Sequence, residues 1–448
     1  MYLLRIRNST SSLLKQILVL FISMLFAIST YAQTGHVMSG VGAIDQSMSG
    51  AGTVALPLDG LSGLYANPAT LTHFEGITLD VSLQIMRPSG TLYSSIQENA
   101  FGPSFPSATI SGSTESTAGP FPIPAIALTY VPEKSNWAFG FSAYGVGGFG
   151  VDYEMTPTNP ITTPQAPSGF GFGAIPSEFQ LLQVAPSIAY RVNNKLSIGF
   201  SPLLNRSSLE VNPFPAATPD DGNGDGFYSY PDGPKTSALG IGYSIGLNLK
   251  NINNFHFGIS YKSTQHFADL NFNSSDETGN PREFSFNLDY PSILTGGLSY
   301  TGINRLLMAF DVKYIDFSRT DGFNRNGYDE TGAVQGFGWE SIFVYTAGLQ
   351  YELTRKLPIR FGYSYNPCPI NHDDSFFNVS APAIIEHHIS TGASYPLSSK
   401  IQLSGAFQYG VKNSTQGQWI GPQGSMAGTE VKNELSTSIF IFGLSFDL

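Results

Sequence analysis

Cysteine, charged residues and long apolar runs are all scarce in this chain of 448 residues. Its one cysteine, Cys368, cannot form an internal disulfide, so no covalent cross-link stabilises the fold. Charged residues make up only 12% of the chain, whereas a water-soluble domain usually carries about 25%. The net charge of −11 argues against a nucleic-acid partner, which requires a basic surface. Low charge without a run long enough for a membrane helix is typical of a barrel that meets lipid with every second residue.

The first 32 residues have the organisation of a secretory signal peptide. Three basic residues precede an apolar run at 17–28 in which only Ser23 is polar, and a small-x-small site ends at Ala32. The run is too short to span a bilayer as a helix. We therefore expect export and cleavage before Gln33. Removal of three basic residues and no acidic one would take the formal charge from −11 to −14.

The end of the chain shows the alternation of a membrane-spanning β-strand. Its even positions are apolar, namely Phe440, Phe442, Leu444, Phe446 and Leu448. Successive strand side chains point to opposite faces, so one face would meet lipid and the other a polar lumen. This pattern, together with the export signal, predicts a location in the outer membrane of a Gram-negative bacterium.

About fourteen segments after residue 74 share this alternation. They lie near 75–88, 121–131, 136–151, 179–192, 195–211, 237–250, 254–272, 284–301, 305–318, 338–354, 357–367, 384–397, 399–412 and 433–448. Short links alternate with long polar ones, as periplasmic turns alternate with external loops. We predict an all-β transmembrane barrel of about 14 antiparallel strands. A large soluble β-sandwich would share the alternation and is the alternative fold, although its surface would carry more charge.

Four stretches of the mature chain stand out beside the strand pattern. A glycine-rich segment without strand alternation ends in Asn67-Pro68-Ala69, and the other three stretches lie at 239–263, 290–314 and 360–388. In this order they resemble the family of outer-membrane long-chain fatty-acid transport proteins, and Asn67-Pro68-Ala69 is similar to that family's hatch motif. The resemblance implies a fourteen-stranded barrel with an N-terminal hatch, or plug, that contains short helices.

The same resemblance implies a function and a domain organisation. Residues 1–32 would be the signal peptide, 33–74 the hatch and 75–448 the barrel. The protein would take up hydrophobic compounds, such as long-chain fatty acids or hydrocarbons, by passive diffusion. It would release them sideways into the membrane through a gap at the third strand.

The third predicted strand contains an unusual concentration of glycine, at Gly145, Gly147, Gly148 and Gly150. Glycines inside a strand weaken it and often mark a bulge or a bend. We predict that these candidate gate residues interrupt hydrogen bonding to a neighbouring strand, and that hatch residues 40–52 back the gap. The alternative is that the glycines only leave room for the plug.

Four side chains on the predicted lumen face are candidates for binding a substrate carboxylate: His256, Lys262, Lys313 and Arg360. Arg360 could bind such a group through two parallel hydrogen bonds. The alternative is a structural role, because barrel lumens hold ion pairs and Lys313 lies two residues from Asp311 on the same face.

One external loop has the ligand spacing of a calcium loop. Its candidate ligands are Asp221, Asn223, Asp225, the carbonyl of Phe227, Ser229 and Asp232, with a glycine at the sixth position. No helix flanks the loop, and the last position is an aspartate instead of the longer glutamate. The alternative is a flexible loop without metal, and we expect no other cofactor.

No group of residues in the sequence forms a convincing catalytic constellation, so we expect a protein that is not an enzyme. Two other functions stay open: an outer-membrane lipid hydrolase, and a closed barrel whose long loops serve binding or adhesion. The expected partners are hydrophobic small molecules, outer-membrane lipid and lipopolysaccharide, and we expect a monomer that binds no nucleic acid.

Overall fold

The computed structural model describes residues 37–354 and 356–448, and the predicted signal peptide lies outside these ranges. Fourteen antiparallel strands form a closed barrel. The first and last strands close it, in a ladder that runs from Thr78 opposite Asp447 to Ile96 opposite Thr429. This arrangement confirms the predicted fold. In the described ranges, no helix is both long and apolar enough to cross a membrane.

Each of the fourteen predicted segments corresponds to one barrel strand. The barrel strands are β1 (Gly76–Ile96), β3 (Phe121–Val131), β4 (Trp137–Tyr153), β5 (Ile175–Arg191), β6 (Leu196–Val211), β7 (Gly233–Ile252), β8 (Phe255–Lys262), β12 (Ile293–Ile303), β13 (Leu306–Ile315), β14 (Ile342–Thr354), β15 (Leu357–Tyr365), β16 (His387–Pro396), β17 (Ile401–Gly421) and β18 (Gly424–Asp447). Four shorter strands lie in the long connections: β2 (Ile110–Glu115), β9 (His266–Phe267), β10 (Leu270–Ser275) and β11 (Pro281–Phe286).

The wall alternates between a lipid-facing and a lumen-facing side. On β15, Phe361 is 54% exposed whereas its neighbour Arg360 is 3% exposed. β13 follows the same pattern, with Phe310 exposed and Asp311 buried. The observed faces of these strands agree with those predicted from the alternation, because apolar side chains can face hydrocarbon without cost whereas polar ones cannot.

The N-terminal segment, residues 37–74, lies inside the barrel. It contains helix α1 (Gly42–Ser47), helix α2 (Gly60–Ala66) and the 3₁₀ helix Pro68–His73. Helix α1 packs against β16 and β17, and the 3₁₀ helix packs against β5, β6 and β7. No residue of the segment is exposed, so the strands enclose it.

Helix α2 begins with a capping box that explains its position in the sequence. The Asp59 side chain accepts a hydrogen bond from the Ser62 amide at 2.8 Å, and the Ser62 hydroxyl accepts one from the Asp59 amide at 3.3 Å. These bonds satisfy two backbone donors that a helix start would otherwise leave unpaired.

Several strand ends differ from the predicted pattern. β1 continues to Ile96, eight residues beyond its predicted end, and β12 begins at Ile293, nine residues after its predicted start. Residues 413–432 are not a loop, because β17 and β18 continue as a tall hairpin beyond the membrane. These residues lack apolar alternation because both faces of the hairpin meet water or other loops there. The sequence pattern therefore did not predict this extension. β8 ends at Lys262, ten residues before the predicted end of its segment, and the chain turns inward before Phe267 pairs again with β7.

Candidate functional site

The ladder between β3 and β4 stops halfway up the wall. Six residue pairs join the strands, from Tyr130 opposite Phe139 to Ala125 opposite Tyr144. Above this level β4 continues to Tyr153 and pairs with β5 on its other side. Residues 121–124 of β3 lie beyond the last pair as well, and they pair with β1. Higher up, Tyr153 forms a bridge with Ser116, and the carbonyl oxygen of Asp152 accepts a hydrogen bond from the Thr117 amide at 2.9 Å. Between these two levels the edges of β3 and β4 are not paired with each other and face each other across an opening.

The local sequence explains why both edges are free. On β3, Pro122 and Pro124 lie just beyond Ala125, the last residue that pairs with β4. Proline has no amide hydrogen to donate to a ladder. On β4, Val146 forms a bulge, because Gly145 pairs with Leu182 of β5 and Gly147 pairs with the adjacent Leu181. The glycines lie on the strand that was predicted to be interrupted. The prolines are a second sequence signal, which the glycine-based prediction did not use.

The free edge of β4 is hydrogen-bonded from inside the barrel. Val37 forms an antiparallel bridge with Gly147, and the Met38 amide donates to the carbonyl oxygen of Val146 at 3.1 Å. The backing residues thus precede the predicted stretch 40–52. Helix α1 occupies much of that stretch, and a backbone bonded within a helix cannot pair with a strand edge.

The motif Asn67-Pro68-Ala69 connects helix α2 to the 3₁₀ helix and presses against the wall at β6 and β7. The Asn67 amide nitrogen donates to the carbonyl oxygen of Val54 at 2.8 Å and to that of Leu247 at 2.9 Å. Its side-chain oxygen accepts from the Ala69 amide at 3.0 Å. A Cβ atom at Gly246 of β7 would collide with Asn67, so glycine is required for this close approach.

Two of the predicted lumen cations are held by hydrogen bonds within the barrel. The Lys313 ammonium donates to the carbonyl oxygen of Ser39 at 2.7 Å, which fixes the N-terminal segment to β13. The Arg360 guanidinium donates to Gln350 Oε1 and to Ser394 Oγ, each at 2.7 Å. Both groups already have polar partners in this arrangement.

The other two candidates lie at different heights in the barrel. The Lys262 ammonium lies 3.7 Å from the ring centroid of Tyr65, a cation–π contact. It forms no hydrogen bond and no salt bridge among the described residues, and the carboxylate of Asp45 attracts it from a greater distance. His256 follows the short turn at the opposite end of β8, where its ring lies 6.4 Å from that of His73. The four predicted residues therefore do not form one cluster.

An apolar pocket opens among the external loops. The cavity is small, about 40 Å³, and no charged side chain lines it. Ile175 at the start of β5 lines it, together with residues from the connections after β4, β6, β13 and β15, which are Phe172, Pro213, Pro215, Tyr328, Val334, Phe376, Phe377, Val379 and Ser380. Sequence reasoning missed this pocket because its residues lie in separate parts of the chain without a common motif.

Aromatic side chains also line the upper part of β4 inside the barrel. Phe149 of β4 packs against Phe179 of β5, with ring centroids 5.4 Å apart, and against Phe337 of a long loop at 5.9 Å. An apolar surface of this kind lies beside the opening and can accommodate hydrophobic compounds.

The predicted calcium ligands are held by backbone groups of their own loop. Asp221 accepts from the Gly226 amide, Asn223 from the Asp225 amide and Asp225 from the Phe227 amide. Ser229 instead donates to the Glu277 carboxylate, and Asp232 uses its backbone carbonyl to accept from Ser274. Within residues 37–354 and 356–448, no group of three or more His, Cys, Asp or Glu side chains is arranged to hold a metal ion. Calcium binding stays a prediction.

Comparison with known proteins identifies similar chains. The sequence profile of a family described as "Outer membrane protein transport protein (OMPP1/FadL/TodX)" matches residues 25–448. No curated protein matches the chain. The solved structure of the Pseudomonas putida toluene transporter TodX is 18% identical, with a TM-score of 0.69 over 92% of this chain and 99% of that one.

Two further solved structures show the same likeness. The Ralstonia pickettii toluene transporter TbuX is 18% identical, with a TM-score of 0.66 over 91% of this chain and 99% of that one. A Pseudomonas aeruginosa FadL homologue is 14% identical, with a TM-score of 0.68 over 92% of this chain and all of that one (100%). At these identities the structural likeness establishes a shared fold.

Proposed function

Because this chain belongs to the outer membrane protein transport family (OMPP1/FadL/TodX), we propose that it releases hydrophobic compounds sideways into the membrane through the opening between β3 and β4. The family transports hydrophobic compounds across the outer membranes of Gram-negative bacteria. The proposal concerns the route and the substrates of this member. Uptake would be passive, driven by the partition of substrate from water into hydrocarbon.

The interrupted ladder is the observation that carries this proposal. A backbone group in the hydrocarbon region that has no partner costs several kcal/mol, so barrels normally pair every strand edge. Here the pairing between β3 and β4 ends at Ala125 and Tyr144, and the edge of β4 is satisfied from within by Met38. An opening backed only by Val37 and Met38 would give an apolar molecule a path from the lumen to lipid when these two residues move away.

The external apolar pocket supports entry from outside the cell. Its aromatic lining, which includes Phe172 and Phe376, can bind an apolar molecule without requiring a charged group. This chemistry favours neutral hydrocarbons. Solved structures of toluene transporters share the fold, and we propose small aromatic hydrocarbons as one substrate class.

Long-chain fatty acids are the second candidate, and Lys262 is the observation that favours them. This ammonium is buried beside Tyr65 and has no hydrogen-bond acceptor in the described part of the chain. A buried cation without a paired anion is costly, and a substrate carboxylate would supply one. Lys313, Arg360 and His256 are weaker candidates, because the first two already bond to other groups and His256 lies at the far end of β8.

Uptake of two labelled compounds distinguishes these substrate classes. Cells of a Gram-negative host without a transporter of this family would express the wild-type protein or Lys262→Met and receive toluene or oleate. If Lys262 binds the carboxylate, its replacement should lower oleate uptake about tenfold, as expected for loss of a hydrogen bond to a charged group, and leave toluene uptake unchanged. If cells with the wild-type protein take up neither compound faster than cells with an empty vector, the proposed function is wrong.

We further propose that residues 33–74 act as the plug of the barrel 75–448 after cleavage of residues 1–32, and that the barrel works as a monomer in contact with lipopolysaccharide. Calcium binding by the loop 221–232 is also a proposal, and a titration that shows no binding at millimolar calcium would reject it. Incubation of the purified protein with a lipid ester tests the alternative of hydrolase activity.

A further inference from the structure

One buried carbonyl group connects three parts of the molecule at the opening. The oxygen of Val146, the bulge residue of β4, accepts a hydrogen bond from the Met38 amide at 3.1 Å and another from the Tyr290 hydroxyl at 2.9 Å. Val146 is 1% exposed and Tyr290 is 3% exposed. The strand edge, the N-terminal segment and a side chain from another part of the wall therefore meet at one atom.

The backbone fixes Tyr290 in the position from which it reaches this carbonyl. Tyr290 precedes β12, the eighth strand of the barrel, whereas Val146 lies on the third. After Lys262 the chain turns inward, and Gln265 and Tyr290 exchange both backbone hydrogen bonds, at 2.9 and 3.1 Å. This pairing anchors Tyr290, so its phenol spans the lumen instead of lying along its own strand.

A second tyrosine holds the N-terminal segment from the other side. The Tyr65 hydroxyl donates to the carbonyl oxygen of Met38 at 2.8 Å, and the Tyr65 ring packs edge-on against that of Tyr144, 5.7 Å away. Met38 is thus bonded through both of its backbone polar groups, by the amide to β4 and by the carbonyl to helix α2. Displacement of Met38 from the opening would break both contacts.

We propose that Tyr290 is a latch that keeps residues Val37 and Met38 paired with the free edge of β4 and so keeps the opening closed in the absence of substrate. Substrate release would require Val37 and Met38 to separate from β4. The hydrogen bond from the Tyr290 hydroxyl to Val146 stabilises the arrangement in which they are paired. This inference rests on the proposed lateral release, but the position of Met38 can be measured without transport. Tyr290 acts through Val146 and Met38, so its role is to position them.

The test compares Tyr290→Phe with Tyr153→Phe in the full-length mature protein. Tyr153 is a matched control on the same strand, because it is fully buried and its hydroxyl has no hydrogen-bond partner among the described residues. Hydrogen–deuterium exchange of the Met38 amide, followed by mass spectrometry of peptides that cover 37–41, reports how often this amide leaves Val146. We expect about two- to tenfold faster exchange in Tyr290→Phe, the effect of one lost hydrogen bond, and no change in Tyr153→Phe.

Unchanged exchange in Tyr290→Phe would overturn the latch, and so would equal acceleration in both variants. Tyr65→Phe provides a second test. It removes the hydrogen bond to the carbonyl oxygen of Met38 and should also accelerate exchange of the Met38 amide. Uptake of labelled toluene and oleate then separates the two proposals. Faster exchange together with faster uptake supports both, whereas faster exchange with unchanged uptake of each compound retains the latch and contradicts lateral release.

Discussion

The side-chain amide of Asn67 donates a hydrogen bond to the carbonyl oxygen of Leu247 at 2.9 Å, and this bond joins the N-terminal segment to strand β7. The same amide bonds Val54 within the segment. Asn67 is fully buried, so neither carbonyl can exchange its partner for bulk water. One side chain therefore fixes the fold of the segment and its position against the wall.

Replacement of Asn67 by alanine should loosen the segment. It leaves two buried carbonyl groups without this donor, at a cost of about 1–3 kcal/mol for each. We expect faster hydrogen exchange across residues 52–70, with the barrel strands unaffected. Asn371→Ala is the control, since Asn371 is exposed and should leave the segment protected. Wild-type protection in Asn67→Ala would show that the motif does not hold the segment.

The N-terminal segment should also lose stability in acid because of His73. Burial lowers the pKa of His73 from 6.5 to about 4. In the displaced segment His73 would bind a proton near pH 6.5, whereas in the docked segment it binds one only near pH 4. Docking is therefore most favourable above about pH 6.5, and its free energy weakens by up to about 3 kcal/mol as the pH falls to 4.

The test of His73 is hydrogen exchange of residues 68–73 between pH 4 and pH 7, normalised to an unstructured peptide. Wild-type protection should decrease towards pH 4. His73→Gln keeps a donor for Asn248 Oδ1, which lies 2.7 Å from Nε2 in the wild-type protein, and should remove most of the dependence. A dependence of equal size in the variant would assign the effect to another group.

The external pocket should set the substrate concentration needed for uptake. Phe376→Ala removes an aromatic wall of the pocket, and loss of about 1.4 kcal/mol of contact energy corresponds to a tenfold change in affinity. We expect the half-saturation concentration for toluene to rise about tenfold with little change in maximal rate. Tyr228→Ala, at an exposed tyrosine outside the pocket, should change neither. A reduced maximal rate alone would contradict an entry role.

Restoration of backbone donors on β3 should narrow the opening. The double substitution Pro122→Thr and Pro124→Thr supplies two amide hydrogens, each able to form a ladder bond with a net value of about 0.5–1.5 kcal/mol. We expect the ladder to extend beyond Ala125, with slower exchange at residues 121–126 and slower uptake. Pro202→Thr in β6 is the control, because the β5–β6 ladder is also interrupted there but continues on both sides. Unchanged uptake with an extended ladder would argue against this exit.

Side-chain alternation was sufficient to predict the barrel and all fourteen of its strands, because each strand must present an apolar face to lipid. The ends of the strands were harder to predict. β17 and β18 extend past the membrane, where lipid no longer selects apolar residues, so residues 413–432 were predicted as a loop. The inward turn after Lys262 also has no local signature, since it depends on pairing between Gln265 and Tyr290.

The candidate site could be predicted only in part. The glycines of β4 marked the strand whose ladder is incomplete, but the backing residues, Val37 and Met38, carry no distinctive pattern. The cations of the lumen could be assigned to a face but not to a partner. Lys313 bonds to Ser39, and contacts between residues so distant in sequence depend on how the N-terminal segment folds inside the barrel.

Uptake by a variant with a blocked opening tests the central claim of lateral release most directly. Gly148→Trp places a large side chain on the β4 segment above the last pair with β3, and it would be compared with Gly405→Trp on β17, where a side chain meets open space. Both proteins must reach wild-type surface levels. We predict that Gly148→Trp loses most uptake of labelled substrate while half-saturation at the external pocket is unchanged, and that Gly405→Trp behaves as wild type. Undiminished uptake by Gly148→Trp would contradict release between β3 and β4.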